Sequence, residues 1–225
     1  MIQYISYGAG VGSTALICHM IDEIKSGAVE VVFCDHGADW PETYEYVDYI
    51  KKALKIDITV LKVEIQGSVG LYNFYRDHNT IPFYRYRICT DKSKIRPFNR
   101  YIKRPCKIYL GITWDERKRA KPNQIKTVES CYPFVEEMIN RDKAIQIIEM
   151  AGLEVPNKSG CYFCPFQGKA EWKRLFDEHN ELFIKAIELE DNANNRILPT
   201  GRSLQNMYDE FRYQSNLDKY GVDVK

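Results

Sequence analysis

The chain has 225 residues, enough for one large domain or for an α/β domain with a smaller appendage. Its 32 basic and 31 acidic side chains give a formal charge of +1, so no global field favours nucleic acid or a membrane surface, and only a local basic face stays open. No apolar run reaches the ~20 residues that span a bilayer, and the opening residues read as a strand rather than a signal peptide; the expected location is the cytoplasm.

The first predicted strand covers residues 2–6 and runs into Gly8-Ala-Gly-Val-Gly-Ser-Thr14, followed by a helical pattern to residue 25. Gly8, Gly10 and Gly12 let the backbone turn sharply and come close to a ligand, with Ser13 and Thr14 placed to cap the helix. Orphan amides at a helix start, with the positive end of its dipole, make a phosphate seat. The plainer alternative is a turn that only packs a helix against a sheet. Neither the Gly-Lys-Ser/Thr ending of an ATPase loop nor the Gly-x-Gly-x-x-Gly dinucleotide fingerprint is present.

Further strands are predicted at 30–34, 58–63 and 107–111, with helices at 42–54 and 94–103 between them. This alternation predicts βαβ units and a mainly parallel, doubly wound sheet. Ligands of such sheets bind at the carboxyl ends of the strands, where the glycine loop, the turn after Asp35 and the turn after Gly111 would converge. Beyond residue 135 the pattern becomes helical, at 141–151, 169–179 and 181–190, and ends in a polar tail. The expected organisation is an α/β domain over 1–135 and a helical portion over 136–225. Trp172, Phe176, Leu182, Phe183 and Ile187 form helix-spaced stripes that read as core.

Seven cysteines, an odd number, argue against a disulfide framework in an intracellular chain. Cys18 and Cys34 sit in apolar patterns and read as packing. Cys161-x-x-Cys164, closed by Pro165, is a pair of soft ligands for zinc or an iron–sulfur cluster, with a redox dithiol as the rival. Cys89, in a loop rich in tyrosine and arginine, is the best third ligand. A fourth could be Cys131, Cys106, His78 or an external group, and spacing does not separate zinc from a cluster. Lys92, Lys94 and Arg117 belong to two basic clusters suited to an anionic substrate, a nucleotide or a nucleic-acid backbone. Asp35 is a candidate for a ribose contact or a magnesium ligand, with turn capping the equal alternative. His36 shows no ligand spacing and carries little weight.

Four segments in order resemble the phosphoadenosine phosphosulfate reductase family, a branch of the PP-loop (adenine nucleotide α-hydrolase-like) superfamily. Gly8-Ala-Gly-Val-Gly-Ser13 falls where that superfamily has Ser-Gly-Gly-x-Asp-Ser. Asp35-His-Gly-Ala-Asp-Trp-Pro-Glu-Thr43 is similar to Asp-Thr-Gly-x-x-x-Pro-Glu-Thr. Cys89-Thr-Asp-Lys-Ser-Lys-Ile-Arg-Pro97 resembles Cys-x-x-x-x-Lys-x-x-Pro, and Gly111-Ile-Thr-Trp-Asp-Glu116 resembles Gly-x-x-x-x-Glu. The resemblance spans residues 2 to 204. It implies an adenine nucleotide, ATP or a relative, with phosphates on the 8–14 loop. It also implies that Cys89, Cys161 and Cys164 match ligands of a 4Fe–4S cluster, zinc being the alternative.

Two departures shape the expected activity. The superfamily's loop aspartate is Gly12 here, and the reductase branch's C-terminal Glu-Cys-Gly-x-His nucleophile has no counterpart, because no cysteine follows Cys164. The expected activity is therefore ATP-dependent sulfur transfer, with magnesium, onto an adenylylated nucleic-acid or small-molecule acceptor. An open iron would carry the sulfide, a partner protein would donate the sulfur or electrons, and Cys89, Lys92 and Lys94 would act at the reacting centre. The alternatives are sulfonucleotide reduction and a zinc-stapled, non-catalytic nucleotide- or nucleic-acid-binding module.

Overall fold

The computed structural model describes residues 1–220. Five parallel strands form the central sheet in the order β3-β2-β1-β6-β7: β1 (Ile2–Tyr7), β2 (Val29–Asp35), β3 (Ile58–Lys62), β6 (Cys106–Tyr109) and β7 (Val128–Cys131). A small antiparallel hairpin, β4 (Glu64–Ile65) with β5 (Ser68–Val69), sits outside it. β1 lies at the centre, pairing through Tyr7 with Phe33 and through Ile5 with Tyr109. The chain runs outward from β1 through β2 to β3 on one side, then crosses back to β6 and β7 on the other side of β1. That makes the β1/β6 boundary the switch point of the sheet, where a crevice opens at the carboxyl edge.

Successive residues of a strand face opposite sides, and both faces of this sheet are covered. Ile5, Val31 and Phe33 face one core with Leu16 and Ile17 of α1 (Val11–His19), Ile50 of α3 (Pro41–Leu54) and Ile148 of α8 (Arg141–Met150). Tyr4, Val32, Cys34 and Ile108 face the other. There they meet Phe74 of α4 (Leu71–Asp77), Phe98 of α6 (Arg96–Tyr101), Trp172 of α9 (Lys169–Glu178), Phe183 of α10 (Asn180–Ala193) and Phe211 of α11 (Leu204–Tyr220). Residue 135, where the sequence pattern changes, falls in the short helix α7 (Pro133–Glu136).

The helical pattern at 14–25 is two helices, α1 and α2 (Ile21–Lys25), broken at Met20. The pattern at 94–103 is preceded by α5 (Ile88–Thr90) and a wide π-helical turn (Asp91–Ile95) before α6. Among the described residues no helix is long and apolar enough to cross a membrane.

Candidate nucleotide and thiol site

Only residues 8–10 separate β1 from α1. Ala9 takes a left-handed φ of 51°, a conformation that costs an L-residue roughly 1–2 kcal/mol. The Ser13 hydroxyl ties the turn: it accepts from the amides of Gly8 and Gly10, both at 3.3 Å, and donates to the Gly10 carbonyl at 3.1 Å. Thr14 is buried and its hydroxyl faces the Tyr7 phenol at 3.4 Å. Gly12 meets Gly111 backbone to backbone. A Cβ on Gly12 would lie 2.1 Å from the Gly111 carbonyl oxygen, and one on Gly111 would lie 2.4 Å from the Gly12 carbonyl. Gly12, where the sequence resemblance would place an aspartate, is thus demanded by the contact between α1 and the turn that follows β6.

A cavity of 720 Å³ opens over this contact, at the switch point, with Gly8, Gly10, Gly12, Ser13 and Gly111 in its wall. Arg87, Lys94, Arg119, Arg141 and Lys158 also line it, against a single carboxylate, Glu116. First-turn amides and an excess of cations converge on one volume, which is the chemistry of a phosphate site. A neighbouring groove of 810 Å³ shares Ser6, Lys94, Leu110 and Arg119 with it and adds Arg96, Arg100, Arg104 and Lys121.

The thiols lie beside this cavity. Segment 160–162 runs antiparallel to 38–40: the Trp40 amide donates to the Gly160 carbonyl at 3.3 Å and the Tyr162 amide to the Ala38 carbonyl at 3.0 Å. The resulting bridge sets Asp39 against Cys161. A tight turn, with the Cys164 amide on the Cys161 carbonyl at 3.1 Å, brings Cys164 round. Cys161 and Cys164 line a small cavity of 80 Å³ with Trp40, Lys158 and Ser159, and the last two also line the 720 Å³ cavity. Burial first, and then Cys89 and Cys161, push the Tyr75 phenol up. Cys89, Cys161 and Cys164 are all half-buried, but among the described residues the sets of potential metal donors within 4.8 Å of one another are His36, Asp39 and Cys161, and Glu42, Glu178 and His179.

The electrostatics of this corner are coupled. Burial and then Asp39 push the Cys161 thiol well above its ordinary value, against the pull of Lys94. Burial pushes the Lys94 ammonium down, but Asp39 foremost, then Cys161, Cys34 and Cys89, hold it above the usual lysine range. Burial also raises the Asp39 carboxyl, but Lys94 and His36 together overcome this and keep it below the ordinary carboxylate value.

Of the residues expected from sequence, Gly8, Gly10, Gly12, Ser13, Gly111 and Lys94 line the large cavity. Thr14 points into the core. Asp35 accepts from the Gly37 amide at 2.9 Å and pairs with Lys62, facing a different cavity of 570 Å³. Lys92 reaches Gln66 at 3.1 Å and lies over the Phe74 ring, while Arg117 stacks on Trp114 at 4.6 Å. Among the other ligand candidates, Cys106 is buried at the amino end of β6 and Cys131 ends β7 beside Glu129. His78 lies 4.7 Å from the Phe74 ring. Sequence reasoning gave Arg119 a place only in a basic cluster and His36 little weight, and it passed over Arg141, Lys158 and Asp39 as site residues. The only signals were the basic run that holds Arg119 and the polar turn that holds His36 and Asp39.

Comparison with known proteins bears on this architecture. The family model for the phosphoadenosine phosphosulfate reductase domain matches residues 3–131. An uncharacterised protein of Methanocaldococcus jannaschii is 26% identical over 197 residues, 79% of this chain and 44% of its own length. An uncharacterised nin region protein of Escherichia phage lambda is 29% identical over 193 residues, 73% of this chain and 66% of its own length. The chain therefore spans about half to two-thirds of the curated relatives it matches. The crystal structure of phosphoadenylyl-sulfate reductase from Candida auris, a phosphate complex, superposes with a TM-score of 0.55 at 14% identity. That match covers 72% of this chain and 81% of the other, and it shows the shared fold.

Proposed function

The chain belongs to the phosphoadenosine phosphosulfate reductase family, and on that premise we propose that it transfers sulfur onto a substrate it has adenylylated, beside a cysteine-held metal centre. The observation that carries this reading is the shared wall: Lys158 and Ser159 line both the cationic cavity over the glycine loop and the pocket of Cys161 and Cys164.

In this reading the first-turn amides of α1 receive the nucleotide phosphates, and Lys94, Arg119 and Arg141 neutralise their charge. An acceptor oxygen attacks the α-phosphorus of ATP, the bond to the bridging oxygen breaks, and pyrophosphate leaves with that oxygen. Hydrosulfide then attacks the activated carbon, AMP departs with the acceptor's former oxygen, and one proton is released. Cations along the pyrophosphate path stabilise the charge that develops on the leaving group. Cys89, Cys161 and Cys164 would hold an iron–sulfur cluster or zinc, which when bound supplies a sulfur-binding or electron-carrying centre beside the nucleotide. The groove lined by Arg96, Arg100, Arg104 and Lys121 favours an anionic acceptor, nucleic acid included.

Sulfonucleotide reduction is the second reading, favoured by the family itself. Cys34 is a thiol in the wall of the large cavity, yet burial pushes it up to about 11, so it is a weak nucleophile near neutral pH. Reduction would then need a thiol from a partner. ATP–pyrophosphate exchange separates the two. Isotope exchange dependent on acceptor supports adenylylation; sulfite release from a phosphosulfate nucleotide with a thioredoxin-like donor, and no exchange, overturns it.

A further inference from the structure

The chain as a whole carries a formal charge of only +1, yet its cations are not evenly spread. The 810 Å³ groove beside the nucleotide cavity is lined by Lys94, Arg96, Arg100, Arg104, Arg119 and Lys121 against a single carboxylate, Asp91. α6 contributes Arg96 and Arg100, which stand one helical turn apart on the same face. Arg96 pairs with Asp91 at 2.7 Å, and Arg119 pairs with Glu116. Arg104 reaches the Asn99 carbonyl at 2.6 Å, and among the described residues Arg100, Arg104 and Lys121, all exposed, have no carboxylate partner. Such a row of unneutralised cations is the footprint of a polyanion.

A second feature borders the same volume. Phe83-Tyr-Arg-Tyr-Arg87 leaves large rings in solvent: Phe83 is 43% and Tyr86 63% exposed. These two rings stack, with centroids 5.8 Å apart and planes 25° from parallel, over a turn closed by the Tyr86 amide on the Phe83 carbonyl at 3.3 Å. Arg85 lies against the Tyr84 ring at 5.7 Å. Arg87 then lines the nucleotide cavity, and Thr90, Asp91 and Ile95 of the next helical turns line the groove. Exposed rings interleaved with arginines and joined by the chain to a cationic groove are the two parts of a single-strand surface. The groove follows the phosphate backbone and the rings take unpaired bases. A duplex keeps its bases paired and stacked on one another, out of reach of such rings, and an acidic polypeptide matches the cations alone.

We propose that the groove and the 83–87 loop together bind single-stranded nucleic acid, its backbone on Arg100, Arg104 and Lys121 and its unpaired bases on Phe83 and Tyr86. The strand's role as acceptor rests on the reading of the nucleotide cavity as an adenylylating site; the binding itself does not. Ser6, Lys94, Leu110 and Arg119 line both the groove and the cavity, so a strand held in the groove has a base at the wall of the nucleotide site. Chemistry on a base needs that base out of the stack, and a single strand presents it without the cost of unpairing a duplex.

The test is fluorescence anisotropy of labelled mixed-sequence oligonucleotides of about 16 nucleotides, as single-stranded DNA, single-stranded RNA and duplex DNA, titrated with the full-length chain across a salt series. At least one single strand is expected to bind about tenfold or more tighter than the duplex, and the tighter of the two identifies the sugar. Three phosphate contacts predict that log K falls with log salt at a slope of about −2. R100A, R104A and K121A should each weaken binding about 3–10-fold and make that slope shallower by about 0.7. The F83A/Y86A double variant should weaken binding about 5-fold or more with the slope unchanged, because stacking releases no counterions. K52A, on α3 and outside both cavities, should bind as wild type does. All the altered side chains are exposed, and circular dichroism checks that each variant folds. A duplex bound as tightly as both single strands, groove variants that bind like wild type, or a double aromatic variant without loss each overturns the proposal. ATP–pyrophosphate exchange in the same samples separates it from the adenylylation reading. Strand binding with these dependences but no exchange overturns adenylylation and leaves the binding surface standing; exchange without strand binding does the reverse.

Discussion

Replacing Gly12 by alanine adds one methyl group at the tightest backbone contact in the site. Its Cβ would lie 2.1 Å from the Gly111 carbonyl oxygen, whereas carbon–oxygen contacts relax to about 3.3 Å, so the overlap is roughly 1.2 Å. Both partners are backbone, one in the first turn of α1 and the other in the turn that follows β6, so no side chain can swing aside. The first turn must lift from the sheet by about 1 Å. Overpacking of that kind costs about 1–3 kcal/mol, and at about 2–4 °C per kcal/mol for a chain of this size, Tm should fall by roughly 2–12 °C. The same shift takes first-turn amides out of hydrogen-bonding range of a bound phosphate. Two bonds to a charged ligand, each worth about 1.5–3 kcal/mol, amount to roughly 10²–10⁴-fold in Kd. Thermal unfolding and calorimetric titration with ATP measure the two effects. The G12D change, which restores the superfamily's aspartate, should be at least as damaging as G12A. G8A is the control for stability, because a Cβ there meets nothing within 4 Å. A G12A protein with wild-type Tm and wild-type ATP affinity would refute the reasoning.

Arg119→Ala and Arg141→Ala should each weaken ATP binding by about 5–30-fold in calorimetry, while K92A and R117A should stay within about twofold, because Lys92 and Arg117 lie outside the cavity wall. The loss in the two arginine variants should shrink at high salt, where screening weakens the wild-type contact as well. Glu190 gives a pH-dependent prediction. Its carboxylate accepts from the Ile197 amide at 2.8 Å and the Leu204 amide at 2.7 Å, and burial raises its pKa above the ordinary glutamate value. The folded state therefore binds more protons than the unfolded one in the interval above about 4.3, and the stabilisation is lost as pH rises through the folded pKa. Tm measured from pH 4 to 7 should show the advantage of wild type over E190Q shrinking as pH rises; a gap that widens would contradict this.

Much of the architecture was legible. The alternation of strands and helices through residue 111 and the glycine turn at 8–12 identify a parallel sheet with its site at the carboxyl edge, because period and turn chemistry act locally. β7 was not legible. It is four residues long, Val-Glu-Ser-Cys, at a sheet edge, and too short to establish a period. α11 could have been read from Leu204, Met207 and Phe211, which share one buried face, but the polar residues between them obscured it. The site itself was legible where it is contiguous, as in the glycine loop, and hidden where distant segments meet. Arg141 and Lys158 reach the cavity from beyond all five strands of the sheet, and His36 meets Cys161 across 125 residues of sequence. Lys92 and Lys94 look alike in sequence; the wide helical turn over Asp91–Ile95 sends only Lys94 into the cavity.

The most direct test of a cysteine-held metal centre beside a nucleotide cavity is the metal and sulfide content of the anaerobically purified full-length chain, with its visible spectrum recorded before and after addition of ATP. The account predicts stoichiometric metal, lost in C161S, with a spectrum that ATP perturbs through the wall shared at Lys158 and Ser159. A chain that binds ATP tightly yet holds neither iron nor zinc would contradict it.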